Sequence, residues 1–554
     1  MRRVARHPLT RQPLALQSLA LWAAAVLGMA MAMATPALAA PKIDVLVAGR
    51  VIHGIQGLAF GPDGLLYGAS FYGQSIYKLD PASGRAEVAV PPHAGEGDDL
   101  MFGPAGTPAE GLLVWTSFDK VMAMRPGGAP FVLAGELPRV NPMTFSPDGR
   151  LFVAQSGTPD NALLELDIAG RRPPRIVAQN QGPLNGFAFG PDGRIYAPLF
   201  GTDEVVAIDI TTGLYSKIAK GVGSPSAVKV GPDGNLIAVD YKKGDIWHIT
   251  AKTGATRLVV SLPPPIDNLV IRPDGQAYIA DPTISTVMLL DPVSGKVTDV
   301  TRGHFNITLG MTMTVRDGKP ALLVADPMGY HFVDPASGLV HRVPWEVGRH
   351  ASAAVAANHA VTVTASQRGL RRIDRATDQI IAETAEVKAP SGVVLTAAGD
   401  VIAAEPGAGH KNTGRIVRWS AAGLTTVADG LSQPTALAWF SDDVVLVTET
   451  EAGVVARIEL GSGRRTVIAA GFDRPNGVAV LPDGRIAVAE GENGRIFVVD
   501  ATGKSKTEIA GGLALSVAGF RVPPTTPVGL AADADGTLYV SCPGDNRILK
   551  ITDI

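Results

Sequence analysis

Polar side chains that carry oxygen atoms recur at a nearly constant interval in the first half of the chain. Each lies shortly before a turn-forming segment, 41 to 44 residues from the next, and the six are Gln56, Asp98, Asn141, Asn185, Ser226 and Asp267. Two carboxylates and several neutral oxygens are the ligands that a hard divalent cation prefers. If the fold brings these positions to one axis, they form a cation site, and a carboxylate there can also act as a general base. A shift of one residue in this alignment would replace Asp98 by Asp99.

The sequence therefore predicts a divalent metal ion held by Asp98, Asn141, Asn185 and Asp267, with Ca²⁺ or Mg²⁺ first and Zn²⁺ as an alternative. Asp98 and Asp267 are the predicted catalytic residues, and Gln56 and Asn141 the predicted substrate-binding residues. A simpler interpretation is that small and polar side chains line a channel that holds ordered water.

The second half of the chain carries less chemistry at the equivalent positions. These are Gly310, Ala351, Ser391, Thr435, Asn476 and Val528. A further set of acids lies at the end of the second predicted strand of each unit. In the second half these are Asp326, Glu405, Glu449 and Glu490, and in the first half they are Asp240 and Asp281. An arginine starts the strand that follows each of the three glutamates, so we expect the ion pairs Glu405 with Arg415, Glu449 with Arg457, and Glu490 with Arg495.

These positions belong to a repeat that covers nearly the whole chain. Turn segments such as Pro62-Asp63-Gly64 and Pro482-Asp483-Gly484 mark twelve units, mostly 40 to 44 residues apart. Each unit reads as four short apolar runs separated by turns, which is the period of a propeller blade. Helical repeats are disfavoured, because the 63 glycines and 42 prolines lie at the ends of predicted strands.

The predicted fold is all-β, with two consecutive six-bladed β-propellers of four-stranded antiparallel blades. The predicted divisions are a signal peptide at residues 1–40, a first propeller at 41–294 and a second at 295–554. We expect the segment IDVLVAG at 43–49 to complete the blade that ends at TVMLLD. The segment KVTDVT at 296–301 would then complete the C-terminal blade, so that neither ring has a free edge.

Composition and the N-terminus indicate an exported protein. The first 40 residues combine four arginines, an apolar run and a small-residue cleavage site near Ala39, which is typical of a secretory signal. We therefore predict a periplasmic or secreted protein with no membrane span after cleavage. Without those arginines, 45 basic residues face 52 acidic ones, and the absence of a basic cluster argues against a nucleic-acid partner. Cys542 is the single cysteine, which excludes an intramolecular disulfide.

The repeated form N-G-(apolar)₃-x-P-D-G-R, at residues 185–194 and 476–485, resembles the senescence marker protein and gluconolactonase family, and the blade type is similar to streptogramin lyases and NHL-repeat propellers. The family resemblance implies a six-bladed propeller that opens lactones with one divalent metal, held by a Glu, the Asn of the N-G motif and an Asp. Asn185 matches that asparagine, whereas Gln56 and Ser226 replace the two acids. In the second propeller Asn476 matches, but Ala351 and Val528 replace the acids.

The predicted function is thus an exported, metal-dependent hydrolase of lactone-type esters, gluconolactonase-like, acting on a small-molecule lactone or related ester. Two alternatives stay open at this point. One is a non-catalytic binding or scaffold propeller. The other is a C–O lyase similar to the streptogramin lyases, which would need a histidine base such as His53, His350 or His410.

Overall fold

The computed structural model describes residues 40–180, 182–343, 353–408, 411–517 and 526–554. Most of the predicted signal peptide, residues 1–39, lies outside these ranges. The described residues form twelve antiparallel sheets of four strands each and one short 3₁₀ helix, Thr450–Ala452. None of the described helices has the length and apolar character needed to cross a membrane.

The first strand, β1 (Lys42–Val47), is separated in sequence from the sheet to which it belongs. The next 24 strands form six sheets in chain order, and in each sheet four successive strands pair as neighbours. These strands are β2 (Leu58–Phe60), β3 (Leu66–Ser70), β4 (Ser75–Leu79), β5 (Ala86–Val90), β6 (Leu100–Phe102), β7 (Leu113–Ser117), β8 (Lys120–Met124), β9 (Phe131–Ala134), β10 (Val140–Phe145), β11 (Leu151–Gln155), β12 (Leu163–Leu166), β13 (Arg175–Ala178), β14 (Ala188–Phe189), β15 (Arg194–Pro198), β16 (Glu204–Asp209), β17 (Tyr215–Lys220), β18 (Pro225–Val230), β19 (Leu236–Asp240), β20 (Asp245–Ile249), β21 (Thr256–Ser261), β22 (Asn268–Ile271), β23 (Ala277–Asp281), β24 (Thr286–Leu290) and β25 (Val297–Thr301).

The remaining strands form the other six sheets, and the last of these takes β1 as its fourth strand. They are β26 (Met311–Arg316), β27 (Lys319–Asp326), β28 (Gly329–Val333), β29 (Val340–Arg342), β30 (Ala354–Ala357), β31 (Val361–Ser366), β32 (Gly369–Asp374), β33 (Ile380–Thr384), β34 (Gly392–Leu395), β35 (Val401–Glu405), β36 (Gly414–Ser420), β37 (Gly423–Leu431), β38 (Pro434–Ser441), β39 (Val444–Glu449), β40 (Val454–Glu459), β41 (Arg465–Ala470), β42 (Pro475–Val480), β43 (Ile486–Glu490), β44 (Arg495–Val499), β45 (Lys506–Ala510), β46 (Leu530–Ala532), β47 (Leu538–Cys542) and β48 (Arg547–Thr552).

The repeated turn segments shape each sheet as the sequence predicts. In the first sheet, Gly64 lies at a φ of 76°, which favours glycine, and the Asp63 carboxylate accepts a hydrogen bond of 3.2 Å from the N–H of Leu65. At the next turn but one, the Asp80 carboxylate accepts one of 2.9 Å from the N–H of Ala82. These turns end the strands at fixed points, so the loops at the opposite ends of the strands all lie on one face of the ring.

Apolar packing between neighbouring sheets closes two separate rings. The sheets are joined by twelve apolar clusters, and one of them packs Leu66 and Tyr77 of the first sheet against Tyr278 and Val287 of the sixth. Another packs Val324 of the seventh sheet against Tyr539 and Ile548 of the twelfth. The fold is therefore two six-bladed propellers, as predicted; we call them the first ring and the second ring.

The predicted exchange of closing strands is wrong. β1 pairs with β48, so that Lys42 lies opposite Thr552, and β25 pairs with β24, so that Leu290 lies opposite Val297. Both segments have the composition of an outer strand, and the sequence pattern alone does not distinguish them. The tight turn between β24 and β25 favours their pairing, because a short loop has a small closure entropy. A division at residue 295 would cut the sixth sheet, and the two sets of sheets meet instead at residues 302–310.

The first ring is consequently an insertion between β1 and the rest of the second ring. The chain crosses from one ring to the other twice, at residues 48–57 and at 302–310. Both crossings are tied to the turn before β48, since Asn546 Nδ2 donates hydrogen bonds to the carbonyl oxygens of Ile52 (3.3 Å) and Asn306 (2.8 Å). The Arg342 guanidinium also reaches from the second ring to Asp281 of the first, at 2.8 Å.

This topology predicts how the chain can be divided. A fragment of residues 50–303 should fold by itself, because it contains all four strands of six sheets. A fragment of residues 304–554 should aggregate or unfold at lower temperature, because β48 is left as an open edge. Adding residues 40–49 to its C-terminus through a flexible linker should restore a soluble, cooperatively unfolding ring. Solubility and thermal unfolding by circular dichroism test this, and equal stability with and without the added strand would contradict the assigned pairing.

Candidate functional site

Five of the six polar positions predicted in the first ring line one cavity. Gln56, Asp98, Asn141, Asn185 and Asp267 lie around a space of about 290 Å³, together with Phe71, Tyr72, Phe200, Tyr241, Pro282 and Met328. They come from five different sheets, so the cavity lies at the centre of the ring, where the innermost strands begin. We call it the central cavity. Ser226 is the exception, because its hydroxyl donates a hydrogen bond of 2.7 Å to the backbone oxygen of Asp267.

Hydrogen bonds hold several of these side chains in place. Asn141 Nδ2 donates to Asp98 Oδ2 at 2.7 Å, which joins the second and third blades. The Asn185 side-chain oxygen accepts the N–H of Gly186 at 2.9 Å. Gln56 Oε1 accepts the N–H of Phe71 at 3.0 Å, so this glutamine also fixes a wall residue of the cavity. Among the described residues, no hydrogen bond to the Asp267 carboxylate is found, which leaves that group facing the cavity.

The central cavity concentrates negative charge. Burial, and then the neighbouring Asp99 carboxylate, raise the pKa of Asp98 to about 7. Burial followed by the charges of Asp98 and Asp99 raises the pKa of Asp267 well above its usual value. A carboxylate that is withdrawn from water beside another one is costly to ionise, so protonation is favoured here, and a bound cation would offset the same cost.

Two further residues complete the electrostatics: Asp99, which the sequence analysis named only as the alternative to Asp98, and Lys229, which it did not select. Asp99 is buried, accepts the N–H of Leu100 at 3.1 Å, and has a raised pKa caused by burial and opposed first by the Lys229 ammonium. The charge of Lys229 also opposes the raised pKa of Asp267. Lys229 interrupts the apolar run of an innermost strand, β18, and this break in the pattern is the signal that could have identified it.

The donor chemistry of the central cavity fits a hard divalent cation. No group of three or more His, Cys, Asp or Glu side chains arranged for a metal occurs in the residues that the structure describes. A cation would therefore use the two carboxylates of Asp98 and Asp267 with amide oxygens, and keep water in its remaining positions. Asn141 would offer its oxygen after a half-turn of the amide, a change that exchanges two atoms of similar size.

The corresponding polar groups of the second ring are used for backbone hydrogen bonds. Asn476 Nδ2 donates to the Thr526 oxygen at 2.8 Å, and Asn476 Oδ1 accepts the N–H of Gly491 at 3.0 Å. The Ser391 hydroxyl donates to the Pro434 oxygen at 3.1 Å. Ala351 lies outside the described residues. The second ring thus resembles the first in sequence texture but holds fewer side-chain groups ready for a ligand.

In the second ring, the glutamates at the ends of the second strands form ion pairs with arginines of the same sheet. Glu405 pairs with Arg415 at 3.0 Å and Glu490 pairs with Arg495 at 2.5 Å, as predicted. The predicted pair of Glu449 is wrong, because Arg465 on the outer strand β41 reaches it at 2.5 Å. Arg457 instead stacks on the ring of Phe440. Both of the strands that follow, β40 and β41, carry an arginine. The sequence pattern alone does not show which of the two arginines pairs with Glu449.

Of the histidines considered for a lyase, His53 is the one that the structure describes. His53 is buried between the Tyr77 hydroxyl at 3.0 Å and the Pro543 oxygen at 2.7 Å, and burial lowers its pKa. It therefore links the two rings and does not face the central cavity. His350 and His410 lie outside the described residues.

Residues 309–518 match a family model described as "SMP-30/Gluconolactonase/LRE-like region". The resemblance predicted from the N-G-(apolar)₃-x-P-D-G-R segments is therefore confirmed. The protein is a double six-bladed propeller with a gluconolactonase-like second half. The matched residues belong to the second ring, whereas the acids and amides of the central cavity belong to the first.

Several solved structures resemble parts of the chain at low sequence identity. The streptogramin B lyase structure is 15% identical with a TM-score of 0.37, and the alignment covers 53% of this chain and 97% of the lyase. A gluconolactonase from Xanthomonas campestris is 16% identical with a TM-score of 0.37, and the alignment covers 44% and 87%. The tricorn protease is 13% identical with a TM-score of 0.35, and the alignment covers 88% and 46%. These values support no inference about activity, and no curated protein matches the chain.

Replacing the Asp98 carboxylate is expected to stabilise the metal-free protein at alkaline pH. The pKa of Asp98 in the folded protein, about 7, lies above the usual 3.8. Its contribution to the free energy of unfolding is therefore fully present below pH 3.8 and is lost as the pH rises through 7. Asp98→Asn stays neutral. In EDTA at pH 8 its free energy of unfolding should exceed that of the wild type by about 1–3 kcal/mol, and near pH 4 the two should be similar.

Thermal and urea unfolding at several pH values measure this difference. Asp429→Asn, at an exposed position, is the matched control and should show no pH-dependent change relative to the wild type. If the wild type is the more stable protein at pH 8, the raised pKa is wrong.

A second prediction concerns Asn476. Because both ends of its amide bond the backbone, Asn476→Ala should lower the free energy of unfolding by about 1–3 kcal/mol. Any lactone-opening activity should change less than twofold, which steady-state kinetics would measure. A hundredfold loss of activity without loss of structure would instead assign the active site to the second ring.

Proposed function

We propose that this protein is an exported hydrolase of lactone-type esters, gluconolactonase-like, with its active site in the central cavity of the first ring. The observation that carries the proposal is the presence of Asp98 and Asp267 in one cavity, both with raised pKa values, beside the amides of Asn141 and Asn185. Such a group of acids and amides is suited to activate water and to orient an ester carbonyl.

A divalent cation, Ca²⁺ or Mg²⁺, would be held by Asp98, Asn141, Asn185 and Asp267, and when bound it would polarise the ester carbonyl and acidify water. Asp267 accepts a proton from the attacking water, because its carboxylate faces the cavity and has a raised pKa. Without a cation, Asn141 positions Asp98 through their hydrogen bond of 2.7 Å; with a cation bound, the Asn141 amide oxygen would face the ion instead. Gln56 lines the cavity and binds the substrate there. Its side-chain oxygen also accepts the N–H of Phe71 and so fixes that residue in the cavity wall.

The N-terminal segment of residues 1–40 supports export to the periplasm or the medium. Its basic start, apolar run and small residues near Ala39 are those of a cleaved signal. The mildly acidic composition of the remaining chain is compatible with a small-molecule substrate.

A non-catalytic binding protein is the second candidate. Two observations favour it: the polar groups at the starts of the second-ring strands are spent on backbone bonds, and Gln56 and Ser226 stand where the family has acids. For the lyase alternative, His53 is unsuited to act as the base because it is buried and hydrogen-bonded between the rings, so its base would be His350 or His410.

Asp267→Ala is the direct test of the proposed active site. The variant should lose divalent-cation affinity by more than tenfold and lactone opening by a hundredfold or more, since both depend on this carboxylate. Titration calorimetry with CaCl₂, MgCl₂ and ZnCl₂ measures binding, and a pH-stat assay with a panel of lactones measures turnover.

Asn476→Ala, at the equivalent position of the second ring, is the matched control and should retain both properties. Circular dichroism checks that each variant is folded. A wild-type protein that binds no cation and opens no lactone, or an Asp267→Ala variant with full activity, would favour the binding protein.

A further inference from the structure

Beside the central cavity, the first ring has a second cavity with a mainly apolar wall. Its volume is about 440 Å³, which is within the range of pockets that hold small molecules. The apolar wall consists of Phe71, Phe118, Val140, Pro183, Leu184 and Phe200. We call it the side pocket.

The side pocket and the central cavity lie next to each other and share five lining residues. Asp98, Asn141, Asn185, Phe71 and Phe200 line both spaces. A molecule whose reacting group lies against Asp98 and Asn141 can therefore extend over the apolar wall without leaving the ring. One end of the combined site carries the Asp98 and Asp267 carboxylates, and the other end is mainly apolar apart from Arg139 and Ser156, so the site fits a ligand with the same division.

Large apolar side chains are concentrated at this mouth. Four phenylalanines are exposed in the described part of the chain, and three of them, Phe71, Phe118 and Phe200, line the side pocket with exposed fractions of 37%, 65% and 38%. The fourth, Phe131, lies on an outer strand. Exposed apolar groups gathered around a cavity indicate a binding surface, because single exposed residues are otherwise scattered.

Phe118 is also in an unfavourable backbone conformation. It lies at a φ of 51° in a two-residue turn, since Ser117 pairs with Lys120 on either side. Glycine is favoured at such a position and a bulky side chain is uncommon there. The turn itself therefore does not explain why a phenylalanine is present at position 118. A contribution of its aromatic ring to ligand binding does explain it.

The second ring has no aromatic side chain at the equivalent places. Directly after the second strand of each blade it has Pro327, Gln367, Pro406, Thr450, Gly491 and Pro543. The first ring has Phe71, Phe118, Phe200 and Tyr241 within two residues of its strand ends. The aromatic residues thus accompany the acids of the central cavity and not the propeller fold in general.

We infer that the substrate is a lactone with an apolar arm, such as an alkyl chain, and not a polyhydroxylated sugar lactone; this rests on the proposed function. The lactone ring lies in the central cavity near Asp98 and Asp267, and the arm lies in the side pocket. Sugar hydroxyls placed against Phe118, Leu184 and Phe200 would lose hydrogen bonds to water without replacement. An alkyl arm gains from leaving water, at about three- to fourfold in affinity for each added methylene.

Binding and turnover of a series of γ-lactones test this inference on the full-length protein. γ-Valerolactone carries a methyl arm and γ-nonalactone a pentyl arm, and D-glucono-δ-lactone represents the sugar lactones. The dissociation constant for γ-nonalactone, measured by equilibrium dialysis, should be at least about tenfold lower than for γ-valerolactone. D-Glucono-δ-lactone should be the poorest of the three in kcat/KM.

Phe118→Gly is the decisive variant, because glycine suits the backbone at this turn and the protein should keep or gain stability. It should weaken γ-nonalactone binding by about fivefold or more and γ-valerolactone binding by clearly less, because a methyl arm buries less apolar surface than a pentyl arm. Phe131→Ala, an exposed phenylalanine in the same blade, is the control and should leave both unchanged.

Two results separate this inference from the proposed function. If γ-nonalactone binds and Phe118→Gly weakens it, but no lactone is opened, the side pocket is correctly assigned and the hydrolase is wrong. If lactones are opened with D-glucono-δ-lactone preferred, and Phe118→Gly has no effect, the hydrolase stands and the apolar-arm inference is overturned.

Discussion

The closing of each ring is the constraint on which the rest of the structure depends. The six repeat positions of the first ring are 41 to 44 residues apart, and five of them meet in the central cavity because six sheets share one axis. The sixth sheet packs on the first through Tyr278 and Tyr77, and the second ring closes through the pairing of β1 with β48. If a sheet were lost from either ring, the loops at its centre would no longer face one another.

Closure also gathers like charges at a buried place. Asp98 and Asp267 are half-buried at the cavity wall and lie near the buried Asp99, and Lys229 offsets part of the charge of Asp99 and Asp267. A protein without a ligand for this site would gain stability from neutral residues there, as stable proteins often do when functional groups are removed. The unfavourable turn at Phe118 has the same character. Both features lie in the first ring, on the face where its central cavity opens.

The repeat made most of this architecture predictable. The spacing of the turn segments predicts twelve blades in two rings, and counting back from each turn selects five residues that line the central cavity. The closing strands were not predictable in the same way, because KVTDVT and IDVLVAG have similar patterns and only loop length distinguishes their partners. Arg465 and Lys229 were missed for a related reason. Arg465 pairs with Glu449 two strands away, and the charge of Lys229 acts on Asp99 and Asp267 of other sheets. Such interactions depend on register and depth in the sheet, which the repeat does not specify.

The insertion of the first ring between β1 and the second ring has a consequence for the time course of folding. During synthesis, β1 emerges before any other strand, but its partner β48 is made last. At about 5–20 residues per second, roughly half a minute or longer passes between the synthesis of β1 and that of β48. The first ring is completed within this interval. The charged residues Lys42 and Asp44 lie on this waiting strand, 2.7 Å apart in the folded protein. Charges on an unpaired strand discourage its association with the wrong sheet edge, so β1 remains available for pairing until β48 has been made.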